Sequence, residues 1–497
     1  MSGGIHEECG VFGMYSDTPT DAAHEVYLGL YALQHRGQES CGISVCDDGV
    51  MRHRKGAGLV HEVFGAPELQ ALGTGNIAIG HVRYSTTGGG SAENFQPLVV
   101  RHIKGNMSLA HNGNLVNAEQ LRRRFELNGA IFHGTSDTEA IAYSIVAARL
   151  KCGSTEEAVE LAMNDIKGAY SCVLMTATKL IAFRDPNGFR PLILGKAEGG
   201  YIVASESCAI ESVAGAVIRD VKPGEIVVIG SDGLHSIETH CSKAQSLCVF
   251  EYIYFARPDS VIEGIPVHEW RMNAGRTLAR RSPADADIVI GVPDSGIDAA
   301  LGYSEESGIP YATGFVKNRY IGRSFIQPKQ SERRDAVRIK LNAVASAVSG
   351  KRVVMVDDSI VRGTTGARIV GLLKSAGAKE VHVRISSPPF RFPCHFGTDI
   401  DSQENLIACK FADTSEIAKA IGADSLAYLS VEDAHGLTGC SVCDGCFTGN
   451  YPIDVSGCGE KNKFEQKIHN SRNDASREVS AECGIPDDPG TAVTTRY

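Results

Sequence analysis

The stretch VVMVDDSIVRGTTGARIVGLL, residues 353–373, contains the clearest structural signal in the sequence. Its first four residues are apolar and predict a buried strand, and Asp357 and Asp358 follow at the carboxyl end, where open α/β sheets bind ligands. The RGTTG sequence then leads into a helical pattern whose N-terminal N–H groups would point to the same place. Gly363 and Gly366 permit a close backbone approach, and two threonines add hydroxyl donors. The stretch therefore predicts a phosphate site.

The two aspartates need a separate explanation, because they would repel a bare phosphate. They fit a site in which they face the hydroxyls of a sugar or a Mg²⁺ ion. The alternative is structural: two aspartates that only end a strand and cap a helix. The Gly-Thr-Thr loop behind them favours the ligand site.

Two neighbouring segments agree with a phosphate ligand. IVIGVPDSG, residues 288–296, reads as a second strand that ends in a small polar loop suited to pyrophosphate or metal. KNRYIGRSFIQP, residues 317–328, places Lys317, Arg319 and Arg323 between aromatic residues and a glycine. Such a basic loop could close over pyrophosphate and exclude water, although a solvated surface loop would look similar.

The 353–373 stretch resembles the phosphoribosyl-pyrophosphate (PRPP) signature of type I phosphoribosyltransferases, an α/β family with a parallel sheet. In that family the loop holds the ribose 5-phosphate and the acids contact the ribose hydroxyls. The resemblance assigns PRPP binding to Asp357, Asp358, Ser359, Arg362, Gly363, Thr364, Thr365, Lys317, Arg319 and Arg323. It assigns the Mg²⁺ contacts to Ser295, Asp357 and Asp358.

Length and composition set the frame around this site. With 497 residues, 43% of them hydrophobic and 22% charged, the chain is long enough for about two to four globular domains. The net charge of -10 does not suggest nucleic-acid binding, and no uncharged apolar run is long enough for a membrane span. The head MSGGIHEE lacks the features of a secretory signal, and the cysteine count of 15 is odd, so we expect reduced thiols in the cytoplasm.

The pattern along the chain changes between its halves. Short strand-like runs up to about residue 240 predict an α+β domain with antiparallel sheets. In its helix TSDTEAIAYSIVAARL, Ser136 and Glu139 have the spacing of a capping box. From about residue 265, strands and helices alternate, which predicts βαβ units. The expected organisation is a head over 1–8, domains over 9–240 and 241–460, and a polar, disordered tail over 461–497.

The N-terminal sequence MSGGIHEECGVFG places Cys9 eight residues into the chain. A nucleophilic thiol needs a base, and no adjacent residue is an obvious one. Removal of Met1–Glu8 would supply the α-amino group of Cys9, whose pKa of about 7.7–8.0 suits proton transfer near neutral pH. The head would then be a propeptide; otherwise Cys9 is a buried structural cysteine.

Other polar positions in the first half fit amide chemistry. Arg36 in LQHRGQES and Arg83 in GHVRYSTTG could pair with a substrate α-carboxylate. In LAHNGNL, the Asn112 side chain and the Gly113 N–H are adjacent donors of the kind that an oxyanion hole needs. Asp137 lies at a predicted helix start, where it could also be only a cap.

Together these segments resemble the class II glutamine amidotransferases, N-terminal-nucleophile enzymes with a stacked αββα core. The resemblance implies that Cys9 attacks the glutamine amide while Asn112 and Gly113 hold the oxyanion. It also implies that Arg83 and Asp137 grip the α-carboxylate and α-amine, and that Arg36 helps to order the site.

Both motif sets in one chain resemble the glutamine phosphoribosylpyrophosphate amidotransferase family, from Cys9 to about Tyr451. The resemblance implies transfer of glutamine-derived ammonia to PRPP, the committed step of purine synthesis, in a homotetramer with feedback by purine nucleotides. Glucosamine-6-phosphate synthase shares the first half, but residues 353–366 argue against it. The other alternative is a PRPP-sensing protein without amide chemistry, against which Cys9 and the HNG segment argue.

CSVCDGCFTG places Cys440, Cys443 and Cys446 at C-x₂-C-x₂-C spacing, which suggests a metal. Zinc and an iron–sulfur cluster both take four thiolates, and the spacing does not choose between them. One branch of the resembled family has both a propeptide and a structural [4Fe–4S] cluster. The resemblance maps the cluster ligands to Cys248, Cys394, Cys443 and Cys446, and it leaves out Cys440.

Overall fold

The computed structural model describes residues 9–84, 91–318, 341–398, 400 and 402–456. The strands of the first half are β1 (Gly10–Thr20), β2 (Ser40–Asp47), β3 (Val50–Ala57), β4 (Gly75–Arg83), β5 (Leu98–Val100), β6 (Met107–Leu115), β7 (Gly168–Met175), β8 (Leu180–Arg184), β9 (Ile193–Ala197), β10 (Gly200–Ala204), β11 (Ala216–Asp220), β12 (Ile226–Gly230) and β13 (Gly233–Ile237). Its helices are α1 (Ala22–Ala32), α2 (Val60–Val63), α3 (Ala66–Leu72), α4 (Ala118–Leu127), α5 (Asp137–Arg149), α6 (Thr155–Ala162) and α7 (Ser207–Glu211).

Within the described ranges, these strands form two antiparallel sheets. The seven-stranded sheet has the order β11-β9-β10-β1-β4-β2-β3, and the six-stranded sheet has the order β13-β12-β8-β7-β6-β5. Because side chains alternate along a strand, β1 contributes Val11 and Tyr15 to the core between the sheets and Phe12 and Met14 to the core beneath α1. Helices α5 and α6 cover the outer face of the second sheet. The layers are therefore αββα, and the predicted fold class is confirmed.

The start of α5 differs in one detail from the prediction. Ser136 is the N-cap, and its hydroxyl accepts a hydrogen bond from the N–H of Thr138. Glu139 does not complete a capping box; its carboxylate accepts from the N–H groups of His133 and Gly134 instead, both at 2.9 Å. The capping-box prediction is wrong because the preceding loop folds back over the first turn and offers these two donors.

The second half has shorter strands at its start and end and a parallel sheet between them. Its strands are β14 (Leu247–Cys248), β15 (Val261–Ile262), β16 (Ile265–Pro266), β17 (Ile288–Gly291), β18 (Phe315–Lys317), β19 (Leu341–Ala343), β20 (Arg352–Asp357), β21 (Glu380–Ile385), β22 (Ser425–Tyr428) and β23 (Val442–Cys443). Its helices are α8 (Val267–Arg281), α9 (Gly296–Ser307), α10 (Ala345–Val348), α11 (Thr364–Ser375), α12 (Ile407–Lys410), α13 (Thr414–Ile421), α14 (Val431–Gly436) and α15 (Gly445–Thr448).

The described part of the second half contains a four-stranded sheet in the order β17-β20-β21-β22, and each pairing is parallel. Helices α8 and α9 pack on one face, with Trp270 and Tyr303 fully buried, and α11 and α13 pack on the other. Burial on both faces explains why the strands read as uninterrupted apolar runs. The predicted βαβ alternation is confirmed.

The antiparallel sheets end at Ile237 and the parallel sheet begins at Ile288, on either side of the boundary predicted near residue 240. The described residues of both halves belong to one compact unit. None of the helices in the described ranges is both long and apolar enough to span a bilayer.

Candidate active sites

The start of β1 brings Cys9 to the end of β4. Gly10 pairs with Val82, and the half-buried Cys9 thiol donates to the carbonyl of Tyr84 at a Sγ–O distance of 3.5 Å. Arg83, 3% exposed, ends β4 and pairs with Ser40 of β2. Cys9 and Arg83, predicted to share a site, therefore lie on neighbouring central strands.

Arg36 lies beneath Cys9 but is not placed to bind a substrate. Its Nε donates to the carbonyl of Cys9 at 3.0 Å, and its two other nitrogens donate to the carboxylates of Glu206 and Glu251. Burial opposes the charged form, but Glu251 and Glu206 raise the pKa of Arg36 above its usual range. The guanidinium is engaged by protein groups on every side, so the structure fits the ordering role of Arg36 and not a direct contact with the glutamine carboxylate.

Asn112 carries a buried amide whose hydrogen-bonding groups are not used by the described protein. Its side chain is fully buried, and neither Nδ2 nor Oδ1 has a hydrogen-bond partner among the described residues. A buried polar group left in this state costs about 1–3 kcal/mol, which a bound ligand would recover. Asn112 reaches the nucleophile strand through its neighbour: the carbonyl of His111 lies 3.0 Å from Nε2 of His81, which pairs with Val11.

Gly113 is required by the backbone at this point. Its φ is +136°, and an added Cβ would lie 2.2 Å from the carbonyl oxygen of Ala169. Strand β6 can therefore follow this path beside Asn112 only with glycine.

Asp137 is buried at the first position of α5, and part of its carboxylate is already used. Oδ2 accepts from the N–H of Leu115 at 2.9 Å, and Oδ1 lies 3.6 Å from Nδ1 of His111. Burial alone would raise the pKa of Asp137, but the charge and hydrogen bond of His111 and two backbone donors lower it. The carboxylate is therefore held ionised, as a contact to an α-amine requires.

The second site lies at the carboxyl edge of the parallel sheet. Asp357 and Asp358 are both buried, and burial together with Asp358 raises the pKa of Asp357 well above its usual value. Ser295, at the start of α9, donates to Oδ1 of Asp358 at 2.6 Å, and Ser359 donates to Oδ2 at 2.5 Å. The predicted Mg²⁺ residues therefore meet, and two adjacent buried acids with a hydroxyl suit a hard cation.

The loop predicted to bind phosphate leads into α11. Gly363 caps α11 with a φ of +81°, and Thr364 and Thr365 are exposed at the first turn. A side chain at Gly363 is excluded by packing as well, because an added Cβ would lie 2.2 Å from Cδ1 of Ile407. Lys317 forms an ion pair with Asp294, which lies in the loop after β17. Arg319 and Arg323 lie outside the described residues.

The four cysteines assigned to a cluster converge, and Cys440 lies apart from them. Cys248 pairs with Cys443 across β14 and β23. Burial raises the pKa of the Cys443 and Cys446 thiols, and the neighbouring Cys248 and Cys394 raise both further. By contrast, burial and Glu263 raise the pKa of Cys440, which lies beside Tyr252.

Several residues of these sites were not predicted. They are His81, His111, Asn114, Arg190, Glu206 and Glu251. Glu251 interrupts the apolar run VFEYIYF, and a lone charge in such a run signals a buried partner. The partners themselves are far away in sequence and leave no local pattern.

Comparison with known proteins identifies the family of the chain. A family model described as "Glutamine amidotransferase domain" matches residues 81–212. The chain is 49% identical to the amidophosphoribosyltransferase of Bacillus subtilis over 91% of this chain and 95% of that protein. It is 47% identical to the amidophosphoribosyltransferase of Methanocaldococcus jannaschii over 90% and 98%.

Solved structures extend the likeness to three dimensions. One is glutamine PRPP amidotransferase from B. subtilis complexed with ADP and GMP, with a TM-score of 0.84, 48% identity and coverage of 90% of this chain and 98% of that one. Another, described as the allosteric regulatory enzyme of purine biosynthesis, has a TM-score of 0.86 at 47% identity and covers 93% and 100%. On these grounds, the chain belongs to the amidophosphoribosyltransferase family.

Proposed function

We propose a division of labour in which Cys9 hydrolyses glutamine and the 357–365 edge of the parallel sheet holds PRPP. The overall activity is transfer of the glutamine amide nitrogen to PRPP, giving 5-phosphoribosylamine, pyrophosphate and glutamate, the first step of purine biosynthesis. The observation that carries the assignment in the first half is the buried amide of Asn112, which has no hydrogen-bond partner among the described residues and lies on a strand that contacts the sheet of β1.

In the first half, the Cys9 sulfur attacks the side-chain carbonyl carbon of glutamine. Asn112 Nδ2 and the Gly113 N–H donate to the oxygen that gains charge, which stabilises the transition state. The freed α-amine of Cys9 takes the thiol proton and returns it to the departing nitrogen, which leaves as ammonia. Water then cleaves the thioester and releases glutamate.

In the second half, ammonia attacks C1 of the ribose and pyrophosphate leaves. The N-terminus of α11 and the two threonines bind the 5-phosphate, while the acidic pair orients the ribose hydroxyls. Ser295, Asp357 and Asp358 would hold Mg²⁺, which neutralises charge on the leaving pyrophosphate when bound. Lys317 would release Asp294 and pair with pyrophosphate instead.

We also propose a [4Fe–4S] cluster on Cys248, Cys394, Cys443 and Cys446. The chemistry of this donor set supports it, since four thiols meet in a mostly buried region. A single Zn²⁺ would draw its sulfurs to about 2.3 Å from one point. Among the described residues, no group of three or more His, Cys, Asp or Glu is arranged to hold a single ion. A [4Fe–4S] cluster also takes four thiolates, and the family resemblance is the ground for proposing it here.

Feedback by purine nucleotides belongs to the same proposal, supported by the ADP and GMP in the B. subtilis structure. A homotetrameric assembly rests on the family resemblance alone.

Active protein is expected to begin at Cys9. Removal of Met1–Glu8 places a free α-amine on the residue that carries the thiol, and the Tyr84 carbonyl that accepts from this thiol cannot act as a base. N-terminal sequencing and intact mass of active protein test this. Full activity in protein that still begins with Met1 or Ser2 would contradict the mechanism.

Serine substitution of five cysteines is expected to separate the cluster ligands from Cys440. Cys248→Ser, Cys394→Ser, Cys443→Ser and Cys446→Ser lose iron and sulfide, because each removes one thiolate. Cys440→Ser is the matched control and keeps both. Iron, acid-labile sulfide and broad visible absorption are measured on anaerobically purified protein; zinc without sulfide would refute the cluster, and loss of iron in Cys440→Ser alone would show that the ligand set is wrong.

A further inference from the structure

Glu251 connects the nucleophile to the second half of the chain without facing either reaction. It begins the π-helix Glu251–Phe255, which follows β14, and its carboxylate is fully buried. Its two oxygens accept from Nη1 and Nη2 of Arg36, both at 2.9 Å. Oε1 also accepts from Nη1 of Arg190 at 3.3 Å.

Arg190 carries this connection to residues 394–398. Its Nη2 and Nε donate to the carbonyl of Phe396 at 2.8 and 3.3 Å. The ring of Phe189 stacks on that of Phe396 with centroids 4.2 Å apart. Residues 394–398 also contact β6, the strand that contains Asn112, because Asn114 Nδ2 donates to the carbonyl of His395 at 2.9 Å.

We propose that Glu251 is a positioning residue for Cys9 and that, through Arg190, it couples glutamine hydrolysis to the second half. A guanidinium held at both Nη atoms by one carboxylate has a fixed plane. The direction of the Arg36 Nε–H bond is then fixed. Because this group donates to the main-chain carbonyl of Cys9, the position of that carbonyl is fixed too. The inference rests on the proposed role of Cys9 as nucleophile.

Glu251→Gln in the full-length, processed protein tests the inference. Glutamine keeps the shape of the side chain but loses the charge and one acceptor, so the Arg36 plane is released. We expect kcat for glutamine hydrolysis to fall about 10- to 100-fold, because a displacement of 1 Å has effects of that order. The KM for glutamine should stay within about twofold, since Glu251 is buried among protein groups and does not bind the substrate.

The second readout is the coupling of the two reactions. Glutamate and pyrophosphate are formed in equal amounts when every ammonia is used. In Glu251→Gln we expect more glutamate than pyrophosphate at saturating PRPP, because the contact to residues 394–398 no longer constrains the nucleophile. Ammonia-dependent synthesis, which uses only the second half, reports whether the variant is folded.

Glu206→Gln is the matched control. Glu206 also accepts from Nη1 of Arg36, at 2.7 Å, but its other hydrogen bonds in the described structure come from His35, the Cys208 thiol, the Arg257 N–H and the Ser260 hydroxyl. We expect kcat to fall in this variant while glutamate and pyrophosphate remain equal. Excess glutamate in Glu206→Gln as well would overturn the role of the Arg190 contact.

Other outcomes are equally decisive. Unchanged kcat and coupling in Glu251→Gln, or a raised KM with unchanged kcat, overturn the inference. If Glu251→Gln does not fold, Arg190→Lys is tested in its place. Lysine keeps the charge but cannot make both hydrogen bonds to the Phe396 carbonyl, so we expect more glutamate than pyrophosphate. Equal amounts of glutamate and pyrophosphate in this variant overturn the inference.

Cys9→Ala protein that still hydrolyses glutamine would instead overturn the proposed function itself.

Discussion

Replacing Cys9 with alanine removes glutamine-dependent synthesis of phosphoribosylamine, by at least about 10³-fold, and leaves ammonia-dependent synthesis within about twofold of the unchanged protein. Only amide cleavage needs the thiol. The proposed PRPP site consists of the carboxyl ends of β17 and β20 and the start of α11, none of which includes Cys9. Added ammonia therefore bypasses the missing step.

The two rates are measured on processed protein, once with glutamine and once with ammonium at a pH that supplies free ammonia. Cys409→Ala is the control, because Cys409 is an exposed thiol far along the chain that bonds only to the Arg391 carbonyl in the described structure. Loss of both rates in a folded Cys9→Ala protein would show that the two sites do not divide the reaction as proposed.

Asp357→Asn and Asp358→Asn are expected to lower kcat/KM for PRPP by about 10²- to 10³-fold with either nitrogen donor, the size of effect seen when one electrostatic contact to a transition state is lost. Each substitution removes a buried carboxyl group that, in the proposed site, would face the ribose and Mg²⁺. For Asp358 it also disturbs the hydrogen bonds from Ser295 and Ser359.

The matched control is Asp287→Asn, directly before the amino end of β17 and therefore at the other end of the strands of the same sheet. Asp287 is exposed and paired with Arg352, so its loss should leave PRPP kinetics nearly unchanged. Glutamine hydrolysis measured without PRPP should change little in all three variants. Normal PRPP kinetics in both Asp357→Asn and Asp358→Asn would mean that these acids only end a strand.

Most of the regular elements were predictable because local chemistry determines them. The apolar run before Asp357 became a strand buried on both faces, and the Gly-Thr-Thr sequence became a helix N-terminus. Ser136 caps α5 as its residue type suggests, but the partner of Glu139 depended on how the preceding loop folds. Local sequence therefore predicted the elements better than the contacts between them.

The functional residues show the same limit. Arg36 looked like a substrate ligand because a guanidinium suits a carboxylate; the carboxylates that it binds belong to Glu206 and Glu251, far along the chain. The spacing of Cys440, Cys443 and Cys446 makes all three equally good candidates for metal ligands. In the fold, Cys440 lies near Tyr252 and Glu263 instead. No local pattern encodes such long-range choices.

The central position of β1 has a consequence for protein synthesis. One neighbouring strand, β4, follows β1 within about 65 residues. The other is β10, in which Ala204 pairs with Phe12 of β1. A ribosome adding about 5–20 residues per second needs roughly 10–40 seconds to reach that partner. During this interval the apolar first strand, which directly follows the proposed nucleophile, has one open edge at which it could pair with another chain, until β10 emerges.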